Sequence, residues 1–195
     1  TTAAGSATGV EEAPFYVMEN AAGTADYTNS WNIAPPSAAN NVTAAYMRNR
    51  NLYDWTYLYR CAEFQGCMRV GSSTLGRGKI HTPKLANIPA DASGNVQITF
   101  RICYVKGANM TDRFQSWIDK GTYQEVYIDD EKMAFTPATS AYIPNATIGT
   151  DGWAEVRLIA SGVSKDTSFN FFEEKGTAAP TSYYFVDDIE VRLLD

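Results

Sequence analysis

In the stretch LYDWTYLYR, Tyr53, Trp55, Tyr57 and Tyr59 recur at every second position. Side chains alternate faces along an extended backbone. The segment therefore sets a row of rings on one face, with Leu52, Asp54, Thr56 and Leu58 on the other. Sugar rings stack their C–H faces on flat aromatic platforms, and Tyr and Trp add a hydrogen-bonding tip. Core packing calls for the same row, so both uses stand open. Trp117 is a second candidate platform. Arg101, Glu155 and Arg157 sit at positions expected to face outward. They supply either polar contacts to a ligand or an ordinary charged sheet surface.

Two carboxylates raise a different question. The C-terminal YYFVDDIEVRLLD reads as a strand in which Ile189, Val191 and Leu193 share the core face. By simple alternation Asp187 falls on that same face. In APFYVME, Glu19 likewise shares parity with Phe15 and Val17. An inward carboxylate without a partner is costly. Two of them brought together repel unless a proton or a cation lies between. The alternative is that Asp187 caps the strand end by hydrogen bonds or pairs with an arginine.

No catalytic constellation is assignable. The single histidine, His81, has no identifiable nucleophile or orienting acid among Ser72, Ser73 and the cysteines. Glu173 and Glu174 are adjacent, so they face opposite sides of a strand. Glycoside hydrolysis needs two carboxyl groups about 5–10 Å apart, and no pairing among Glu125, Glu155 and Glu173 is evident. Asp129, Asp130 and Glu131 fit a solvated hairpin turn. GRG at 76–78 lacks the strand-to-helix setting of a phosphate loop and reads as a turn or bulge. Cys61, Cys67 and Cys103 show no metal-ligand spacing. One disulfide with one thiol, or three thiols, both fit. These features point to a protein that is not an enzyme.

The elements that must hold these residues are short and alternating. A net charge of −6 argues against nucleic acid as a partner, and no apolar run reaches the ~18–20 residues of a membrane span. The small, polar residues 1–12 read as a tail or linker, and 13–195 as one domain. Within it, NVQITFRICYV is the clearest strand: Val96, Ile98, Phe100, Ile102 and Tyr104 face inward, with Gln97, Thr99, Arg101 and Cys103 outward. GCMRVGS, KIHTPKL, WAEVRLIA, TSFNFFE and the hairpin YQEVYI–DDEK–MAF add further strands. Only Met110, Phe114, Trp117 and Ile118 have helical spacing, which predicts an insertion with a short helical or loop character. Many short strands without alternating helices predict an all-β antiparallel sandwich of jelly-roll type.

In order along the chain, VMEN with Trp31, GCMRVGSSTLGRGKIHTPKL, NVQITFRICYV, YQEVYIDDEKMAF, GWAEVRLIA, FNFFE and VDDIEV resemble the galactose-binding-like jelly rolls. That group includes bacterial carbohydrate-binding modules, MAM domains and cleaved-adhesin domains. Residues 34–60 and 107–122 depart from its pattern and read as insertions. The resemblance implies a structural calcium joining the first and last strands, with Glu19 and Asp187 as ligands here. Calcium takes hard oxygen donors at about 2.3–2.6 Å, which would answer the inward carboxylates. The resemblance further implies a secreted or cell-surface bacterial protein that binds a glycan or polysaccharide; the aromatic spacing and the outward arginines put forward Tyr53, Trp55, Tyr57, Trp117, Arg101 and Arg157 as its contacts. A module that binds a surface protein is the alternative, and a jelly-roll hydrolase or lyase a third.

Overall fold

The run Gly94–Tyr104 buries every second side chain, from Val96 through Ile98, Phe100 and Ile102 to Tyr104. Such strict alternation is what a strand needs to serve one core. The computed structural model describes residues 5–6, 9–10, 61–64, 67–70, 79–88, 93–104, 112–148, 153–174 and 184–194. Their strands are β1 (Gly5–Ser6), β2 (Gly9–Val10), β3 (Cys61–Phe64), β4 (Cys67–Val70), β5 (Lys79–His81), β6 (Gly94–Tyr104) and β7 (Arg113–Ile118). They continue with β8 (Thr122–Ile128), β9 (Glu131–Lys132), β10 (Ser140–Pro144), β11 (Ala154–Val163), β12 (Phe169–Glu174) and β13 (Tyr184–Leu194). A 3-10 turn, Asn145–Thr147, follows β10.

The pairings are antiparallel throughout. A seven-stranded sheet runs β3-β4-β13-β6-β11-β8-β9, and a four-stranded sheet runs β10-β7-β12-β5. The all-β antiparallel sandwich expected from the sequence is the observed fold. Within the stretch read as a tail, β1 and β2 pair in a small ladder.

Aromatic side chains join the two sheets. Phe100 of β6 meets Phe171 of β12 edge-on at 5.1 Å, and Tyr184 of β13 meets Phe114 of β7 at 5.1 Å. All four are fully or almost fully buried. Edge and tilted contacts of this kind add to the area these rings bury. Three hydroxyls are accommodated among them. Ser116 and Tyr123 share a hydrogen bond of 2.6 Å, and Tyr184 donates to Asn145 Oδ1 at 2.7 Å. Burial pushes the Tyr123 phenol well above its ordinary range, so it stays neutral and able to donate.

Three local expectations are corrected. Residues Arg113–Ile118 form strand β7, not the short helical or loop insertion expected there. Phe114, Ser116 and Ile118 make the inward row, and the polar Ser116 breaks the apolar alternation that would have announced it. In the hairpin, the turn is only Asp129–Asp130, and Glu131–Lys132 already pairs back onto Ile128 and Tyr127. Cys103 has outward parity, opposite Phe185, yet both are buried. The Cys103 thiol donates to the Tyr104 carbonyl at 3.4 Å.

The most consequential difference lies in β13. Its register steps from Asp187↔Arg101 to Glu190↔Thr99, three residues against two. Asp188, with φ of 51°, is the extra residue of this bulge. Parity therefore reverses at Asp188. Tyr184 and Val186 face the core before it, and Val191 and Leu193 oppose the core residues Ile98 and Val96 after it. Asp187 consequently does not share a face with Ile189. It lies on the outer side, across from Arg101.

Candidate functional site on the outer face of the four-stranded sheet

Because β7 turns Phe114, Ser116 and Ile118 inward, it turns Arg113, Gln115 and Trp117 outward. The register then builds two rows. One contains Ser140, Trp117, Asn170 and His81, and the next contains Tyr142, Gln115 and Phe172. Neighbouring strands lie about 4.8 Å apart, and diagonal neighbours remain within reach of aromatic side chains. Trp117 is thus flanked diagonally by Tyr142 on β10 and Phe172 on β12.

Polar groups fix this aromatic patch. Gln115 Nε2 donates to Ser140 Oγ at 3.0 Å and to Tyr142 Oη at 3.5 Å. The Arg113 guanidinium lies 4.0 Å from the centre of the Tyr142 ring, a cation–π contact. Tyr142 is 38% exposed, and Trp117 is half-buried. Asn170 is fully buried although it belongs to the outward row; its Nδ2 donates to the Trp117 carbonyl at 3.4 Å. Its buried Oδ1 has no hydrogen-bond partner among the described residues. An orphaned acceptor costs about 1–3 kcal/mol, and packing alone does not call for one. Chemically, the face offers rings for apolar contact, with amide and hydroxyl groups between them able to donate and accept hydrogen bonds.

The residues expected to act together do not all meet. Trp117 is on this face. Arg101 and Arg157 are on the outer face of the other sheet, on the far side of the sandwich. There Arg157 lies 3.8 Å from the centre of the Tyr127 ring and donates to Asp130 Oδ1 at 3.3 Å. Tyr127 donates to Glu125, which also accepts from Lys132 Nζ at 2.7 Å. These two hydrogen bonds, Lys132 first, hold the Glu125 carboxyl below its ordinary range. The same partner holds the Lys132 ammonium above its own. Arg101 lies 5.2 Å from the Trp153 ring centre and 3.9 Å from Asp188 Oδ2. This is a surface whose charges answer one another. Glu125 and Glu155 stand four strand positions apart, about 13 Å, beyond the spacing of a hydrolytic pair.

Asp187 is half-buried and accepts the Asp188 N–H at 2.9 Å. Burial raises its carboxyl above the usual range, partly offset by that hydrogen bond and by Arg101. Such a carboxylate suits a cation as one ligand. Among the described residues no cluster of three or more His, Cys, Asp or Glu side chains has metal-binding geometry. Glu19, Tyr53, Trp55 and Tyr57 lie outside the described residues. His81 closes the Trp117 row at the end of β5, and Ser72 and Ser73 lie outside the described residues.

Tyr142, Gln115 and Asn170 were not foreseen as site residues. The signal was present in SAYIP, where Tyr142 sits between the buried Ala141 and Ile143. It becomes legible only once β7 is known to be the neighbour.

The fold and this face define an antiparallel β-sandwich with an aromatic, hydrogen-bonding platform on its smaller sheet. Scans against protein-family models, curated proteins and solved structures each returned no match.

Proposed function

We propose that the chain is a non-catalytic carbohydrate-binding module of a secreted or cell-surface bacterial protein, with a structural calcium. The observation that carries this reading is the outer face of the four-stranded sheet. Trp117 and Tyr142 lie diagonal to one another across β7 and β10, with Gln115 hydrogen-bonded to Ser140 and Tyr142 and Arg113 against the Tyr142 ring. Rings interleaved with amides and hydroxyls are what sugar recognition needs: stacking on one side of the pyranose and hydrogen bonds around its rim. The resemblance of VMEN, the GCMRV region and VDDIEV to galactose-binding-like jelly rolls supports the same reading. It also supports calcium, to which Asp187 would contribute one half-buried carboxylate and Glu19 a second.

A glycan array read with and without a chelator tests this directly. Wild type binds a subset of glycans, and Trp117→Ala binds them at least about tenfold more weakly, the loss of one stacking platform. Absence of any glycan signal, together with capture of a protein through this face, replaces the reading with an adhesion module. Turnover of a polysaccharide above a heat-killed control makes the chain an enzyme.

A further inference from the structure

The connections that leave the Trp117 end of the four-stranded sheet bring lysines to one carboxylate. Lys84 follows β5, Lys120 lies between β7 and β8, and Lys165 and Asp166 lie between β11 and β12. Lys84 and Lys165 place Nζ 3.5 and 3.2 Å from Asp166 Oδ1, and Lys120 places its own 3.8 Å from Oδ2. The lysine side chains are 44–65% exposed.

Hydrogen bonds of backbone and side-chain groups fix these turns to one another. Thr167 Oγ1 donates to the Lys120 carbonyl at 2.8 Å, and the Leu85 N–H donates to the Thr167 carbonyl at 3.0 Å. Ser168 donates its N–H and hydroxyl to the two oxygens of Asp119, at 2.8 and 3.0 Å. The lysine positions therefore do not depend on the ion pairs, which are weak when exposed.

An ammonium has three donors, and Asp166 engages each lysine through one oxygen. Each ammonium therefore keeps donors that Asp166 does not engage. Asp119, the other acid described at this end, is taken up with Ser168. In a chain of net charge −6, this end gathers more positive than negative charge, and it borders the row holding Trp117 and Asn170.

We infer that the ligand of the Trp117 face is an acidic polysaccharide, its sugar rings on Trp117 and its anionic groups on Lys84, Lys120 and Lys165. This rests on the reading of that face as a glycan platform. Uronate carboxylates and sulfate esters share the required chemistry.

Affinities for polygalacturonate, dextran sulfate, neutral dextran and polyglutamate test it. The proteins are wild type, Trp117→Ala, Asp166→Asn and the triple variant K84Q/K120Q/K165Q, each with its melting curve. At least one acidic polysaccharide binds more tightly than dextran, and which one separates carboxylate from sulfate. Its affinity falls with added salt and drops about tenfold in the triple variant, as for loss of three exposed charge contacts. Asp166→Asn, which removes the competing carboxylate, tightens binding. Dextran binding equal to that of the acidic polymers, or an unaffected triple variant, overturns the acidic-ligand inference and leaves the platform reading standing. So does an Asp166→Asn variant that melts earlier and binds more weakly, since Asp166 then only staples the loops. If polyglutamate binds as tightly as the acidic polysaccharides and Trp117→Ala changes nothing, the platform reading itself falls.

Discussion

At the scale of single residues, Asp187 shows how one backbone angle redirects a chemical argument. Its neighbour Asp188 takes φ of 51°, the bulge absorbs one residue, and the carboxylate emerges on the outer side opposite Arg101. Sequence parity assumes an unbroken strand, and nothing in VDDIEV marks the irregularity except that Asp tolerates the left-handed region better than most residues. The carboxylate is still half-buried, and burial raises its pKa. Below the unfolded Asp value of about 3.9 it is neutral in both states and without cost. As pH rises through the higher folded value, the folded chain must ionise it, and stability is lost. Asp187→Asn in chelator is therefore expected to melt higher than wild type at pH 7 and equal to it near pH 3. In excess calcium the order at pH 7 reverses, because a cation that binds only the folded chain stabilises it and the amide is a poorer ligand. Identical melting of wild type in calcium and chelator removes the metal from the proposal.

At the scale of elements, legibility followed the strength of alternation. β6 and β11 were readable because every inward residue is apolar. β7 was not, because Ser116 holds an inward position by bonding to Tyr123, a partner no local pattern reveals. The β8–β9 hairpin shows a comparable gap at its turn. Asp129 and Asp130 both take positive φ, 49° and 64°, the requirement of a type I′ turn, which favours Asp-Gly or Asn-Gly. Asp129 contributes through its Oδ1, which accepts the Glu155 N–H at 2.8 Å. Asp130 offers only an exposed contact to Arg157. Asp130→Gly is expected to stabilise the chain by up to about 1 kcal/mol, the relief of a left-handed L-residue less a weak surface pair. Asp129→Gly gains less or loses stability. Asp188→Val, which forces a β-branched side chain into the bulge, costs about 1–2 kcal/mol. Urea denaturation of the three variants ranks them, and equal stabilities contradict the strain argument.

At the scale of the whole molecule, the sandwich decides which candidate residues can share a ligand. Trp117, an aromatic of an expected insertion, was grouped with Arg101 and Arg157, expected to point outward, but a two-layer fold has two outsides. Strand order, which depends on long-range pairing, separates them: β7 belongs to one sheet and β6 and β11 to the other. The same separation gives a prediction that core packing and ligand binding answer differently. Phe171 packs edge-on against Phe100 of the facing sheet and stacks on Phe114 of its own, so Phe171→Ala should cost about 3–5 kcal/mol of stability. Trp117, half-buried on the outer face, loses less area when truncated, so Trp117→Ala should lower the melting temperature less than Phe171→Ala while weakening glycan binding. Arg157→Ala should leave that binding near the wild-type value, because its guanidinium is spent on Tyr127 and Asp130 across the molecule. Melting curves and glycan isotherms on the same samples decide the matter. Binding lost with Arg157→Ala and kept with Trp117→Ala moves the site to the seven-stranded sheet.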